Sequence, residues 1–137
     1  MERCALCGCA IHRDGDYAQP TLKGRSHATK HHFIPERFFG RTANRPGEIR
    51  EPIFANCPWD VEGLTEVFCY ECHEEVLHNP VILPRDLELL RELVKLRGLA
   101  EDQKTESREK LAYRIALLHE VIEVGIQQLL TMERSHK

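Results

Sequence analysis

Apolar positions follow two different rhythms along the chain, and the change falls near residue 84. Before it, apolar residues come in short pieces broken by Gly, Pro and Asn, as in GRTANRPGEIREP (40–52) and FANCPWD (54–60). That pattern predicts a loop-rich unit containing a short hairpin. After it, Leu87, Leu90, Leu93 and Val94 fall at helical spacing, with Pro84 suited to a first turn and Gly98 suited to a stop after Lys95 and Arg97. A helix is expected over about 85–97. Beyond the polar connector AEDQKTES, the stripe Leu111, Ile115, Leu118, Ile122, Ile126, Leu129 predicts a longer helix over about 105–133. The reading is a small α+β protein, with an N-terminal unit at 1–82 and an antiparallel helical hairpin at 83–137.

A chain of 137 residues suits one compact domain with one appendage. No uninterrupted apolar run approaches the roughly 20 residues that cross a bilayer, so no membrane role is expected. The start MERCALCGCA has no basic segment leading into an apolar one, which points away from export and to the cytoplasm.

Six cysteines without an export signal argue against a disulfide framework, because the cytosol keeps thiols reduced. Cys4 and Cys7 form one CxxC, Cys69 and Cys72 another, with 61 residues between the pairs. Each such turn aims two sulfurs at one point, so four thiolates predict a tetrahedral structural zinc tying two distant segments together. A small core gains most from such a staple. A redox CxxC would open a helix after a strand in a βαβ unit, a pattern this sequence lacks. Cys9 and Cys57 fit neither pair and read as free or packing cysteines.

Charge is divided unevenly. Residues 1–60 carry 9 Lys and Arg against 7 Asp and Glu, or +2, and residues 61–137 carry 10 against 15, or −5. Between 20 and 50 the excess rises to +5, with Lys23, Arg25, Lys30, Arg37, Arg41, Arg45 and Arg50 facing only Glu36 and Glu48. Such a patch can hold phosphate on an otherwise acidic protein.

The patch surrounds KHHFIPERFFG (30–40), where His31 and His32 are adjacent and His27 lies just upstream. A second histidine group, His73 and His78, follows the second cysteine pair in FCYECHEEVLHNP (68–80). On a regular α-helix five residues turn through about 140° beyond a full circle, so His73 and His78 bind one ion only if the segment ends or loosens. Pro80 favours an early helix end there.

A cysteine knuckle, then HH with an apolar pair and proline, then a second knuckle ending CH with a histidine downstream, resembles the HNH endonuclease family, the ββα-metal or His-Me finger nucleases. The resemblance covers residues 4–80. It implies a β-hairpin carrying the histidine pair, packed on a helix carrying His73, over a four-cysteine zinc site. By position it makes His31, His73 and His78 ligands of a catalytic divalent metal such as Mg2+, Mn2+ or Ni2+, and His32 the general base. The family's central Asn falls at Leu64 here, which leaves Thr65 or Asn56 in its place, or a site without activity. The function so implied is metal-dependent hydrolysis of phosphodiester bonds, with double-stranded DNA the expected partner.

Chemistry supports the arrangement separately. Phosphodiester hydrolysis needs a proton acceptor for water, which histidine supplies near neutral pH, and a cation against the phosphate charge. Neighbours on a regular strand point to opposite faces, so a bulge or strand end is expected at His31 and His32. Two further readings remain: a zinc-stapled nucleic-acid-binding module without catalysis, and an assembly subunit. The stripe over 105–133 exceeds what the 85–97 helix can cover, so a homodimer or another protein partner is expected along it.

Overall fold

The computed structural model describes residues 2–13, 26–40, 51–61, 63–104 and 107–136. The chain divides into two units, Met1–Ile82 and Leu83–Lys137. The architecture is small α+β: a two-stranded sheet, short helical segments and two longer helices.

In the first unit, strand β1 (Ala28–His32) pairs antiparallel with β2 (Thr65–Cys69). The register runs without interruption, from Ala28 opposite Cys69 to His31 opposite Glu66 and His32 opposite Thr65. Of the bulge or strand end expected at the histidine pair, the structure has the strand end: β1 stops at His32, and the ladder keeps every partner in step up to it. Opposed residues share a face. Ala28, Val67 and Cys69 therefore lie on one side with Lys30, His32 and Thr65, while Thr29, His31 and Phe68 lie on the other.

The core is correspondingly small: Cys4, Ile11, Phe68, Cys69 and Cys72, with Cys9, Ala28 and Val67 packed against it. The first knuckle is shaped by its backbone, where the Cys4 amide donates to the Cys9 carbonyl at 2.9 Å and the Gly8 amide to the Cys4 carbonyl at 3.0 Å. Gly8 sits at φ +81°, a left-handed conformation that disfavours residues with a Cβ. Below β1, a 3-10 turn (Glu36–Phe39) is anchored by the Ile53 and Phe54 amides, which both donate to the Phe38 carbonyl. Phe38, Phe54 and Trp59 pack there with tilted and edge-to-face rings, successive centroids 5.6 Å apart.

After β2 the chain enters a π-helix (Glu71–Leu77). Its i→i+5 pattern is wider than that of an α-helix, and such turns concentrate at functional sites. Asn79 closes the segment, its side-chain amide donating to the Glu74 carbonyl at 2.6 Å.

The second unit holds α1 (Pro84–Leu96) and α2 (Glu109–Ser135), close to the spans expected from apolar spacing. Pro84 begins α1, and the Leu83 amide donates to Asp86 at 2.9 Å. Gly98 at φ +68° ends it, with the Leu99 amide reaching back to the Val94 carbonyl at 2.9 Å, a Schellman-type closure. Near their connection Arg97 pairs with Glu120, Arg114 reaches Glu101 at 2.8 Å, and Leu117 is buried. Elsewhere Leu87, Leu89 and Leu93 of α1 and the apolar face of α2 remain exposed. By length and composition α2 could cross a membrane. It also carries Glu120 and Glu123 near its middle, and acidic side chains are costly at the centre of a bilayer.

Candidate metal centres

Among the described residues, two clusters of side chains that could hold a metal ion flank the strand pair. The first gathers Cys4, Cys7, Cys69 and Cys72, all four sulfurs lying within 4.8 Å of one another. The Cys7 and Cys69 sulfurs are 3.9 Å apart. A tetrahedral site with Zn–S bonds of about 2.3 Å has sulfurs about 3.8 Å apart, so the donor set suits structural zinc. Backbone amides of Leu6 and Cys72 each point at a cysteine sulfur at 3.4 Å, Cys4 and Cys69 respectively.

The thiols do not share one acidity. Burial works to raise the Cys4 thiol, but backbone hydrogen bonds at Cys69, Cys7 and Leu6 outweigh it and bring it down to about 6. Hydrogen bonding to Cys9 lowers Cys7. Burial and neighbouring sulfurs push Cys72 up. Four thiolates in one place repel, so full deprotonation needs a cation between them. Cys9, packed beside the cluster, has its thiol pushed up to about 12 by burial and by hydrogen bonds to Cys7 and Cys69. Cys57 stands apart, its sulfur 2.7 Å from the Trp59 carbonyl.

The second cluster is His31, His73 and His78, each offering a ring nitrogen within 4.8 Å of the others. Ring centroids are 5.1 Å apart for His31 and His73, 5.7 Å for His31 and His78, and 4.4 Å for His73 and His78. The π-helix accounts for the last contact. Residues five apart diverge on an α-helix, whereas i→i+5 winding brings them to one side.

Their surroundings fix which nitrogen is available. Buried Thr29 donates its hydroxyl to the Phe68 carbonyl at 3.0 Å, leaving its oxygen to accept from His73 Nδ1 at 2.9 Å. His73 is therefore held with Nδ1 protonated and Nε2 free. Glu74 extends the arrangement, its two carboxylate oxygens lying 3.6 Å from His73 Nδ1 and 3.4 Å from His78 Nδ1. Carboxylates and hydroxyls behind metal-binding imidazoles commonly orient them in this way. Burial, then the neighbouring histidines His73, His78 and His32, lowers the pKa of His31. Burial and His78 lower that of His73, against an opposing contribution from Glu74. Both shifts favour neutral imidazoles, the form that binds a metal.

Of the residues singled out from sequence, the four cysteines come together, and so do His31, His73 and His78. His32 does not join them. It lies on the other face of β1, exposed, with Nε2 4.0 Å from Glu36. Thr65 is its cross-strand partner on that same face. Leu64, in the position of the family's Asn, is exposed, as is Asn56, and Asn79 is engaged with the π-helix backbone. His27 forms a bridge with His12, their rings 5.4 Å apart, away from the histidine cluster. Of the basic patch, Lys30 and Arg37 are described, while Lys23, Arg25, Arg41, Arg45 and Arg50 lie outside the described residues.

Thr29 and Glu74 are the site residues that motif reading passed over. The signal for Thr29 was its place two residues before His31, on the same strand face; for Glu74, it was the four-residue spacing to His78.

Comparison with protein-family models, with curated proteins and with solved structures gives no match to this chain.

Proposed function

We propose that this protein is a metal-dependent endonuclease of HNH type that hydrolyses phosphodiester bonds in DNA, working in a reducing compartment such as the cytoplasm. The observation that carries the reading is the convergence of His31, His73 and His78 from a strand and a π-helix beside a four-cysteine staple. A structural zinc has no need of a second cluster, and three imidazoles backed by Thr29 and Glu74 suit a divalent ion. When bound, such an ion supplies charge neutralisation at the scissile phosphate and the leaving oxygen.

The remaining work falls to the chain. His73 presents Nε2 because its Nδ1 is engaged by Thr29, His78 stands beside it next to Glu74, and His31 completes the set from β1. His32, one residue along the strand, takes the proton from the attacking water, and Glu36 steadies the imidazolium so formed. Thr65, opposite His32, orients it in place of the family's Asn. Lys30 and Arg37 hold the nucleic-acid backbone.

A second reading, a zinc-stapled nucleic-acid-binding module without catalysis, is favoured by one observation: the regular register puts His32 on the strand face away from the three histidines. Incubation of the purified protein with supercoiled plasmid and Mg2+, Mn2+ or Ni2+ separates the two. Nicked or linear product that disappears in His73→Ala supports the nuclease. DNA binding with no cleavage under any of the three ions supports the binding module.

A further inference from the structure

Both clusters hang on one short stretch of chain. Cys69 and Cys72 supply two of the four sulfurs, and His73, next to Cys72 in sequence, is the buried member of the histidine set. The Cys72 amide donates to the Cys69 sulfur at 3.4 Å, which ties the end of β2 to the start of the π-helix. Thr29 spans the same stretch, its hydroxyl bonded to the Phe68 carbonyl and to His73 Nδ1. Residues 68–73 are thus held at Cys69 and Cys72 by one cluster, and at Phe68 and His73 by the hydroxyl that orients the other. Phe68 links the two once more: it packs in the core with Cys4, Cys69 and Cys72, and its ring lies 5.7 Å from that of His31.

The winding of the next residues decides whether the histidines meet. His73 and His78 have ring centroids 4.4 Å apart on the π-helix, whereas an α-helix over the same residues would turn them about 140° from each other. π-Helical winding is rare, so it needs holding at its ends. At the far end Asn79 donates to the Glu74 carbonyl. At the near end stand the Cys69 and Cys72 sulfurs, which an ion shared with Cys4 and Cys7 would fix in place.

Charge acts in the same direction. Four thiolates around one divalent ion make a net negative centre, and imidazoles, which bind metal in their neutral form, make a net positive one around another. Opposite charges so near in the chain attract.

We propose that the two clusters are coupled: an ion at the four cysteines raises the affinity of His31, His73 and His78 for a second divalent ion, by holding residues 71–77 in the winding that brings His78 to His73. Coupling between binding sites is reciprocal, so the second ion tightens the first by the same factor. The proposal rests on the histidine cluster of the nuclease reading being a metal site, and on no catalytic step.

Calorimetric titration with Ni2+ and alkylation by iodoacetamide, both on the full chain, test it. Cys4→Ser weakens the cysteine cluster from the first knuckle and leaves β1, β2 and the π-helix unaltered in sequence. Its affinity for Ni2+ at the histidines, taken from the heat that His73→Ala lacks, is expected to fall about tenfold below that of zinc-loaded wild type. In zinc-loaded wild type, Ni2+ is expected to slow alkylation of Cys69 and Cys72 by a similar factor, read by mass spectrometry, and to leave the rate unchanged in the double variant His31→Ala, His73→Ala. This second arm uses the native chain and decides the matter where Cys4→Ser does not fold. Equal Ni2+ affinity in wild type and folded Cys4→Ser overturns the coupling and leaves the histidine site standing. Alkylation indifferent to Ni2+, or slowed as much in the double variant, overturns it too. Absence of Ni2+ binding at the histidines of zinc-loaded wild type overturns the coupling together with the metal-site reading.

Discussion

Thr29→Val tests the histidine cluster through a residue that binds no metal itself. The Thr29 hydroxyl is buried between two groups, donating to the Phe68 carbonyl at 3.0 Å and accepting from His73 Nδ1 at 2.9 Å. Valine keeps the β-branched shape that a strand favours and removes both bonds. Leaving a buried donor or acceptor unpaired costs about 1–3 kcal/mol. Partial relief by the ladder at Phe68 and by Glu74 at His73 brings the expected loss of stability to about 2 kcal/mol. The effect on metal is separate. Without Thr29, His73 is free to carry its proton on Nε2, and outer partners of this kind are worth about 10- to 100-fold in affinity, or about 1.4–2.7 kcal/mol. Urea unfolding of the zinc-loaded protein measures the first, and calorimetric titration with Ni2+ or Mn2+ the second. A variant that loses stability but binds the second ion as tightly as wild type would refute the orienting role of Thr29. Unchanged stability would refute the hydrogen bonds themselves.

Cys69→Ser should destabilise the whole first unit and release zinc, since one lost thiolate weakens the link between the two knuckles; an unchanged cooperative melt after strong chelation would remove the staple from this account. His32→Ala should lower cleavage by about 10²- to 10⁴-fold while zinc content, melting temperature and DNA binding stay as in wild type, and excess metal should not restore it; cleavage at the wild-type rate would exclude His32 as the base. His31→Ala and His73→Ala should differ by responding to added metal. In metal-free protein, stability should fall on acidification. The folded-state pKa values of His31 and His73 are lowered, so the unfolded chain takes up protons first as pH drops through about 6.5, and the loss continues down to the folded values. His31→Gln combined with His73→Gln should flatten that part of the urea-midpoint profile, and a slope unaltered by the pair would assign the acid sensitivity to other groups.

Local chemistry made much of this protein legible in its sequence. Two CxxC pairs far apart in one chain suit a four-thiolate site, and Pro84, Gly98 and the leucine spacing placed α1 to within a residue at each end, because caps and periodicity act over neighbouring positions. That His31, His73 and His78 belong together was implied by the resemblance to the HNH nucleases, and not by their spacing alone. What the sequence could not decide depends on pairings between distant segments. Whether His31 and His32 lie on one face is settled by the register of β1 against β2, which no property of the HH dipeptide contains. The π-helical winding that brings His78 to His73 is a small local departure from α-geometry, seen only when Cys72 and His73 are placed on their separate neighbours. Thr29 acquires its role from contacts 39 and 44 residues away along the chain. The stripe on α2 was plain from its period, but its period could not say what covers it: amphipathicity fixes which face seeks burial, and tertiary packing alone determines whether the same chain provides the other surface.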